Sequence, residues 1–256
     1  MRILILGAGK MGSFFADLLS FEHEVAVYDK DKSKLRFIYN TYRFTTTQAI
    51  QKFNPELLIN AVTLKHTLTA FLEVIPSLSE HCIISDIASV KSGLKEFYAT
   101  QPLPYVSTHP MFGPTFATLS QLGSENAIII NEGSLLGQQF FKTVYQKLDL
   151  NIFNYSFEEH DQAAIYLLAT PFISTFTFLS ALQKQKAPGT TFKRHQKIAE
   201  GVMNEDYFLL QEILFNKGTE KQIELITQNL EKLKQIIIRK DTEAMLAYLE
   251  QLRGNM

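Results

Sequence analysis

The sequence predicts an α/β fold: a doubly wound parallel sheet in the first part, followed by an all-helical second part. Three observations carry this. Short apolar runs alternate with helix-like segments over the first 155 or so residues. A G-x-G-x-x-G stretch joins the first apolar run to the first helix. After Tyr155 no convincing strand follows, and helical periodicity takes over.

The strands come first. Arg2–Leu6, Glu24–Tyr28, Leu57–Ala61, Cys82–Asp86, Tyr105–His109 and Ala127–Ile130 are short, apolar and mostly flanked by turn or polar residues. Continuous apolar strands imply a sheet covered on both faces. Met11–Ser20, His66–Leu78 and Leu135–Leu148 read as the covering helices. In the second part, Glu220–Arg239 is helical by period, with Ile223, Ile226, Leu230, Leu233 and Ile237 on one stripe. The expected division is 1–155 for a dinucleotide-binding domain and 156–256 for a helical substrate and dimerisation domain. No low-complexity linker separates them.

Composition narrows the function classes. The 256 residues are 46% hydrophobic and 20% charged, which excludes a disordered or fibrous chain. The formal charge of −1 gives no support for nucleic-acid or anionic-membrane binding. The single cysteine, Cys82, excludes an internal disulfide and a cysteine-rich zinc site, and points to a reducing, cytoplasmic setting. Ile3–Leu6 is too short for a signal-peptide core. Gln162–Gln183 carries no charge and is long enough to span a bilayer, but it holds five serines and threonines and Pro171. A helix buried at a subunit or domain interface is the expected explanation.

Gly7-Ala8-Gly9-Lys10-Met11-Gly12 directly follows a strand and opens a helix, the context that makes the motif a dinucleotide loop. Gly7 permits the turn, Gly9 lets the backbone approach a pyrophosphate, and Gly12 lets helix and strand pack closely. The helix start offers N–H donors to the phosphates. Asp29 ends the second strand about 20 residues on, where an acid binds the adenosine ribose. It favours NAD over NADP, although Lys30 and Lys32 soften that preference. Lys10, Met11, Thr63 and Ser89 complete the expected cofactor contacts.

Two clusters fall where strand ends meet the ligand edge of such a sheet. One is Asp86-Ile87-Ala88-Ser89-Val90-Lys91, and the other is His109-Pro110-Met111-Phe112-Gly113-Pro114. Hydride transfer from an alcohol needs a proton acceptor, and an imidazole with a pKa of about 6.5 suits that role. His109 is the candidate base, with Ser89 as the group that orients it. No metal-binding spacing occurs, so no metal is expected.

In this order, GAGKMG, DIASVK, HPMFGP and Glu159-His160-Asp161 resemble the TyrA family of prephenate and arogenate dehydrogenases. The similarity runs from about Arg2 to Lys217. It implies a Rossmann domain, a helical dimerisation domain and a homodimer. It also implies NAD-dependent oxidative decarboxylation of prephenate, a small dicarboxylate, to 4-hydroxyphenylpyruvate on the way to tyrosine. His109 matches the family base, and Ser89 the serine supporting it. The Glu159-His160-Asp161 stretch is expected at the domain junction, with a catalytic relay as the other reading.

The helical half departs from the family. Phe172 stands where relatives carry a histidine, and Gly201 stands where they carry a carboxylate-binding arginine five residues before Asp206. Losing that cation forfeits a charge-assisted hydrogen bond of roughly 1.5–3 kcal/mol. Lys193 and Arg194 are the candidate replacements, with Thr115 as a further substrate contact. Arogenate or an amino-substituted prephenate is therefore a competing substrate, and a catalytically weak NAD-binding regulatory dimer a competing function. Another β-hydroxyacid dehydrogenase would leave HPMFGP unexplained.

Overall fold

A computed structural model describes residues 1–112, 123–183 and 186–255. Thr115, Gly113 and Pro114 lie outside them. The chain forms two compact units, Met1–Gln162 and Ala163–Met256.

The first unit is built on one eight-stranded sheet: β1 (Arg2–Leu6), β2 (Glu24–Tyr28), β3 (Tyr42–Phe44), β4 (Leu57–Asn60), β5 (Ile83–Asp86), β6 (Tyr105–Pro110), β7 (Asn126–Gly133) and β8 (Asn151–Tyr155). The order across the sheet is β3-β2-β1-β4-β5-β6-β7-β8. Sequence order reverses between β1 and β4, and a crevice opens there at the carboxyl ends of the strands. Period-two alternation assigns the side chains. Ile3, Ile5, Val25, Val27, Leu57 and Ile59 face α1 (Lys10–Leu19) and α6 (Leu135–Lys147). Leu4, Leu6, Ala26 and Leu58 face α3 (Thr47–Phe53), α4 (Thr67–Val74) and α5 (Leu94–Ala99). The short α2 (Lys32–Leu35) follows β2, capped by the Asp31 side chain.

Two features depart from the sequence expectation. The sheet is not wholly parallel: β7 runs antiparallel to β6, pairing His109 with Ile128. An apolar strand reads the same in either direction, and antiparallel neighbours need no crossover helix, so composition does not reveal this. β3 and β8 are also added. Their exposed, partly polar edge residues lack the apolar signature of central strands.

α7 (Phe157–Ala164) starts within the first unit, because Phe157 is 2% exposed in the second core layer. A π-helical turn (Ile165–Ala169) joins it to α8 (Thr170–Ser180). Phe157–Ser180 is long and apolar enough to cross a membrane by length and composition. The described remainder of the second unit is helical: α9 (Thr190–Met203), α10 (Tyr207–Leu214), α11 (Thr219–Arg239) and α12 (Thr242–Arg253). The predicted apolar stripe lies on α11, yet Ile223, Leu230 and Ile237 are exposed in the single chain.

Candidate active site

The glycine loop is shaped by two steric facts. Gly7 has φ of +94°, a left-handed conformation that side chains disfavour. A Cβ on Gly12 would lie 1.9 Å from the Gly7 carbonyl oxygen, so only glycine lets α1 approach β1. Gly9 differs: a Cβ there would meet nothing within 4 Å. Packing within this chain does not demand that glycine; a close-lying ligand would. No side chain caps the start of α1 at Gly9.

Asp29 braces the loop. Its Oδ2 accepts the Ala8 N–H at 2.9 Å, and its Oδ1 accepts the Asp31 N–H at 2.8 Å. The Gly7 N–H donates to the Tyr28 carbonyl at 2.8 Å. Around them lies a cavity of about 330 Å³ lined by Gly7, Gly9, Asp29 and Thr63, four of the predicted cofactor residues. Lys30, Lys34 and Glu73 also line it. Gly12 lies beneath the turn, and Met11 packs on the first core layer. Glycine backbone, bracing carboxylate and bare helix start fit a dinucleotide's pyrophosphate and ribose.

The second cluster forms at the carboxyl ends of β5 and β6. Asp86 ends β5 with no solvent exposure. It accepts from Lys91 Nζ at 2.6 Å, Tyr98 Oη at 2.8 Å and the Ala88 N–H at 3.0 Å. Lys91 is equally buried and also donates to the Thr108 carbonyl at 2.8 Å. Burial pulls the Lys91 ammonium below its ordinary value, against the pull of Asp86. This network ties the turn after β5 to the residue before His109. The aspartate and lysine of the D-x-x-S-x-K stretch are thus scaffold for β6.

His109 is 7% exposed, and its Nδ1 lies 3.1 Å from Nε2 of His160, which is 1% exposed. Burial holds the His109 imidazole well below its ordinary pKa, with the nearby His160 and Lys91 acting in the same sense. Burial likewise lowers His160, and Asp161 opposes the shift. Among the described residues, His160 Nδ1 has no hydrogen-bond partner; Asp161 Oδ1 stands 3.6 Å away, beyond bonding distance.

The partner of His109 is thus His160, where the sequence reading proposed Ser89. Ser89 sits half-buried in the turn after β5, outside the dinucleotide cavity, and makes no hydrogen bond to His109. The strand ending at Ser85 and Asp86 directs its polar side chains into the sheet network, Ser85 Oγ donating to the Leu58 carbonyl at 2.7 Å. The sequence reading placed His160 at the domain junction, with a catalytic relay as the other reading; its contact with His109 spans 51 positions along the chain.

In the second unit, Lys193 and Arg194 lie exposed on α9. Asp206 caps α10, accepting from the N–H groups of Phe208 and Leu209. Gly201 lies in α9 with open space where its Cβ would be. Phe172 lies on α8, its ring 6.4 Å from that of Phe176. Among the described residues, no three histidine, cysteine or acidic side chains gather as a metal site.

Residues 19–130 match the family model for the prephenate dehydrogenase nucleotide-binding domain. A probable arogenate/prephenate dehydrogenase of Methanocaldococcus jannaschii is 22% identical over 97% of this chain and 59% of its own length. The T-protein of Enterobacter agglomerans is 25% identical over 69% of this chain and 43% of its own length. The chain thus spans less than two thirds of these curated relatives. Among solved structures, the prephenate dehydrogenase from A. aeolicus, in complex with hydroxyphenyl propionate and NAD+, superposes with a TM-score of 0.82 at 22% identity, covering 100% of this chain and 96% of that one. Synechocystis arogenate dehydrogenase superposes at 0.77 with 17% identity, covering 100% and 98%. At these identities the superpositions establish the fold.

Proposed function

We propose, from the premise that the nucleotide-binding segment of this chain belongs to the prephenate dehydrogenase family, that the protein is an NAD-dependent oxidoreductase that oxidatively decarboxylates prephenate to 4-hydroxyphenylpyruvate. The observation carrying this is the buried His109–His160 pair at the same sheet edge as the glycine loop.

The dinucleotide, when bound, supplies the hydride acceptor. Gly7, Gly9, Asp29 and Thr63 would hold it, with Lys10, Met11 and Ser89 near by. The chain's part is proton handling and orientation. His160 engages His109 at Nδ1, which leaves Nε2 for the substrate hydroxyl. For Nε2 to accept a proton, Nδ1 must carry the hydrogen and donate it to His160 Nε2. His160 then carries its own hydrogen on Nδ1, facing Asp161. The His160–His109 contact thus favours a neutral, correctly tautomeric base. The substrate C4 hydrogen leaves as hydride while His109 takes the hydroxyl proton. The C1 carboxylate leaves as CO2, its bonding electrons aromatise the ring, and the proton returns to the phenolate oxygen.

Arogenate or an amino-substituted prephenate is the competing substrate, because Phe172 and Gly201 remove two groups that relatives direct at the substrate. Lys193, Arg194 and Thr115 are the candidate carboxylate contacts. A catalytically weak regulatory dimer is disfavoured, since binding a dinucleotide does not require the buried histidine pair. We further infer a cytoplasmic homodimer. The exposed Leu230, Ile237, Leu246 and Leu249, with the apolar α7–α8 stretch, form faces that a second copy would cover.

NADH formation with prephenate and with arogenate, beside His109→Ala, tests the reading. Turnover of one substrate that vanishes in the variant is expected. Tight dinucleotide binding with no turnover of either compound would favour the regulatory reading.

A further inference from the structure

The dinucleotide cavity contains a polar bridge that the glycine loop does not use. Glu73, on α4, receives Tyr28 Oη on Oε1 at 2.8 Å and pairs with Lys30 Nζ through Oε2 at 2.5 Å. All three residues line the cavity beside Asp29. Both Glu73 oxygens are therefore committed across the end of β2. The Lys30 side chain is 73% exposed and that of Glu73 31%, so the pair is worth little to folding. Its consequence is for charge inside the cavity. Asp29 and Glu73 balance Lys30 and Lys34 there, so the site offers no surplus cation to an incoming anion.

We propose that Glu73 is a cofactor-selecting residue: by holding Lys30 it withholds the ammonium that would pair with a 2′-phosphate, so the pocket takes NAD in preference to NADP. This rests on the dinucleotide reading of the cavity and deepens it. Asp29 excludes the phosphate by repulsion, while Glu73 disarms the adjacent cation. A 2′-phosphate adds nearly two negative charges. Neutralising Glu73 leaves Lys30 and Lys34 against Asp29 alone, a surplus of one positive charge at the rim. Glutamine is the informative replacement, because its amide oxygen still accepts the Tyr28 hydroxyl.

Isothermal titration of the purified protein with NAD+ and with NADP+ tests this directly. The wild type is expected to bind NAD+ more tightly. Glu73→Gln is expected to lower the ratio of the NADP+ to the NAD+ dissociation constant by about tenfold at low salt, with a smaller change at high salt. Adding Lys30→Gln to that variant should cancel the gain. A Glu73→Gln ratio equal to wild type, or a gain that survives Lys30→Gln, overturns the role of Glu73. A wild type that binds neither nucleotide overturns the dinucleotide reading itself, and the selection with it. An unchanged far-ultraviolet spectrum and urea midpoint distinguish selection from altered folding.

Discussion

His109 Nδ1 and His160 Nε2 lie 3.1 Å apart, the first imidazole at the end of β6 and the second on the opening turns of α7. Neither ring can turn without breaking this contact, and both are enclosed. The pair therefore decides which His109 nitrogen is left free of His160.

Replacing either member separates chemistry from orientation. His109→Ala is expected to lower kcat by about 10²–10⁴-fold, the usual worth of a positioned general base. His160→Ala should cost at least about tenfold in kcat with little change in KM, because proton transfer then waits on ring orientation. His160→Gln keeps a polar atom near the Nε2 position and should recover part of the loss. Because His160 helps to hold the His109 pKa down, either change should also move the acid limb of the kcat/KM profile to higher pH. A limb that stays fixed in both variants would leave His160 a packing residue.

The same pair makes stability fall in mild acid. Both imidazoles have native pKa values below their ordinary value, burial being the chief cause. In the unfolded chain they titrate near about 6.5. Below that pH the unfolded state binds more protons, so stability rises with pH through this window and is lost as pH falls. The slope is steepest just below about pH 6.5, where the unfolded imidazoles take up protons that the native ones refuse. Urea midpoints from pH 7.5 to 5 should show it, and His160→Gln should reduce it. A flat profile across that range would contradict the assignment.

Lys91 and Asp86 are both without solvent exposure, so each depends on the other. Lys91→Met leaves the Asp86 carboxylate with Tyr98 and one backbone N–H, and should cost about 3–5 kcal/mol. The double variant Asp86→Asn with Lys91→Met should recover much of that loss, since neither charge is then stranded. Urea denaturation of the four proteins measures the coupling. Additive losses would show that the pair does not act as a unit.

Gly201 offers the complementary experiment. An arginine there meets no steric obstacle at Cβ and replaces glycine inside α9. Stability should rise by about 0.5–1 kcal/mol from helix propensity alone. If prephenate is the substrate and the resemblance carries over at this position, KM should fall about tenfold or more with kcat nearly unchanged, from one restored charge-assisted hydrogen bond. An unchanged KM would indicate that another cation already serves the carboxylate.

Much of this architecture is legible without coordinates because it depends on local pattern. Ile3–Leu6 must be a strand buried on both faces, and the glycines after it admit one turn geometry. Asp29 follows from its distance along the chain. The helix over Thr219–Arg239 follows from its period. Each rests on spacing between near neighbours, which sterics and hydrophobic burial convert directly into structure.

The reversed direction of β7, the partner of His109 and the bridge from Glu73 to Lys30 have no such signature. His109 and Ile128 are 19 positions apart, His109 and His160 51, and Lys30 and Glu73 43, on elements whose composition is compatible with several arrangements. His160 reads from sequence as a junction residue or as a relay with Asp161, and no local pattern names His109 as its contact. Burial of Phe157 carries it into the first unit and against the β6 edge. Sequence determined the doubly wound sheet, the dinucleotide loop and the identity of the candidate base. Tertiary packing decided which group orients that base and which cation the cavity withholds. Side-chain pairing across elements depends on how the layers dock, a choice made by the whole core and recorded at no single position.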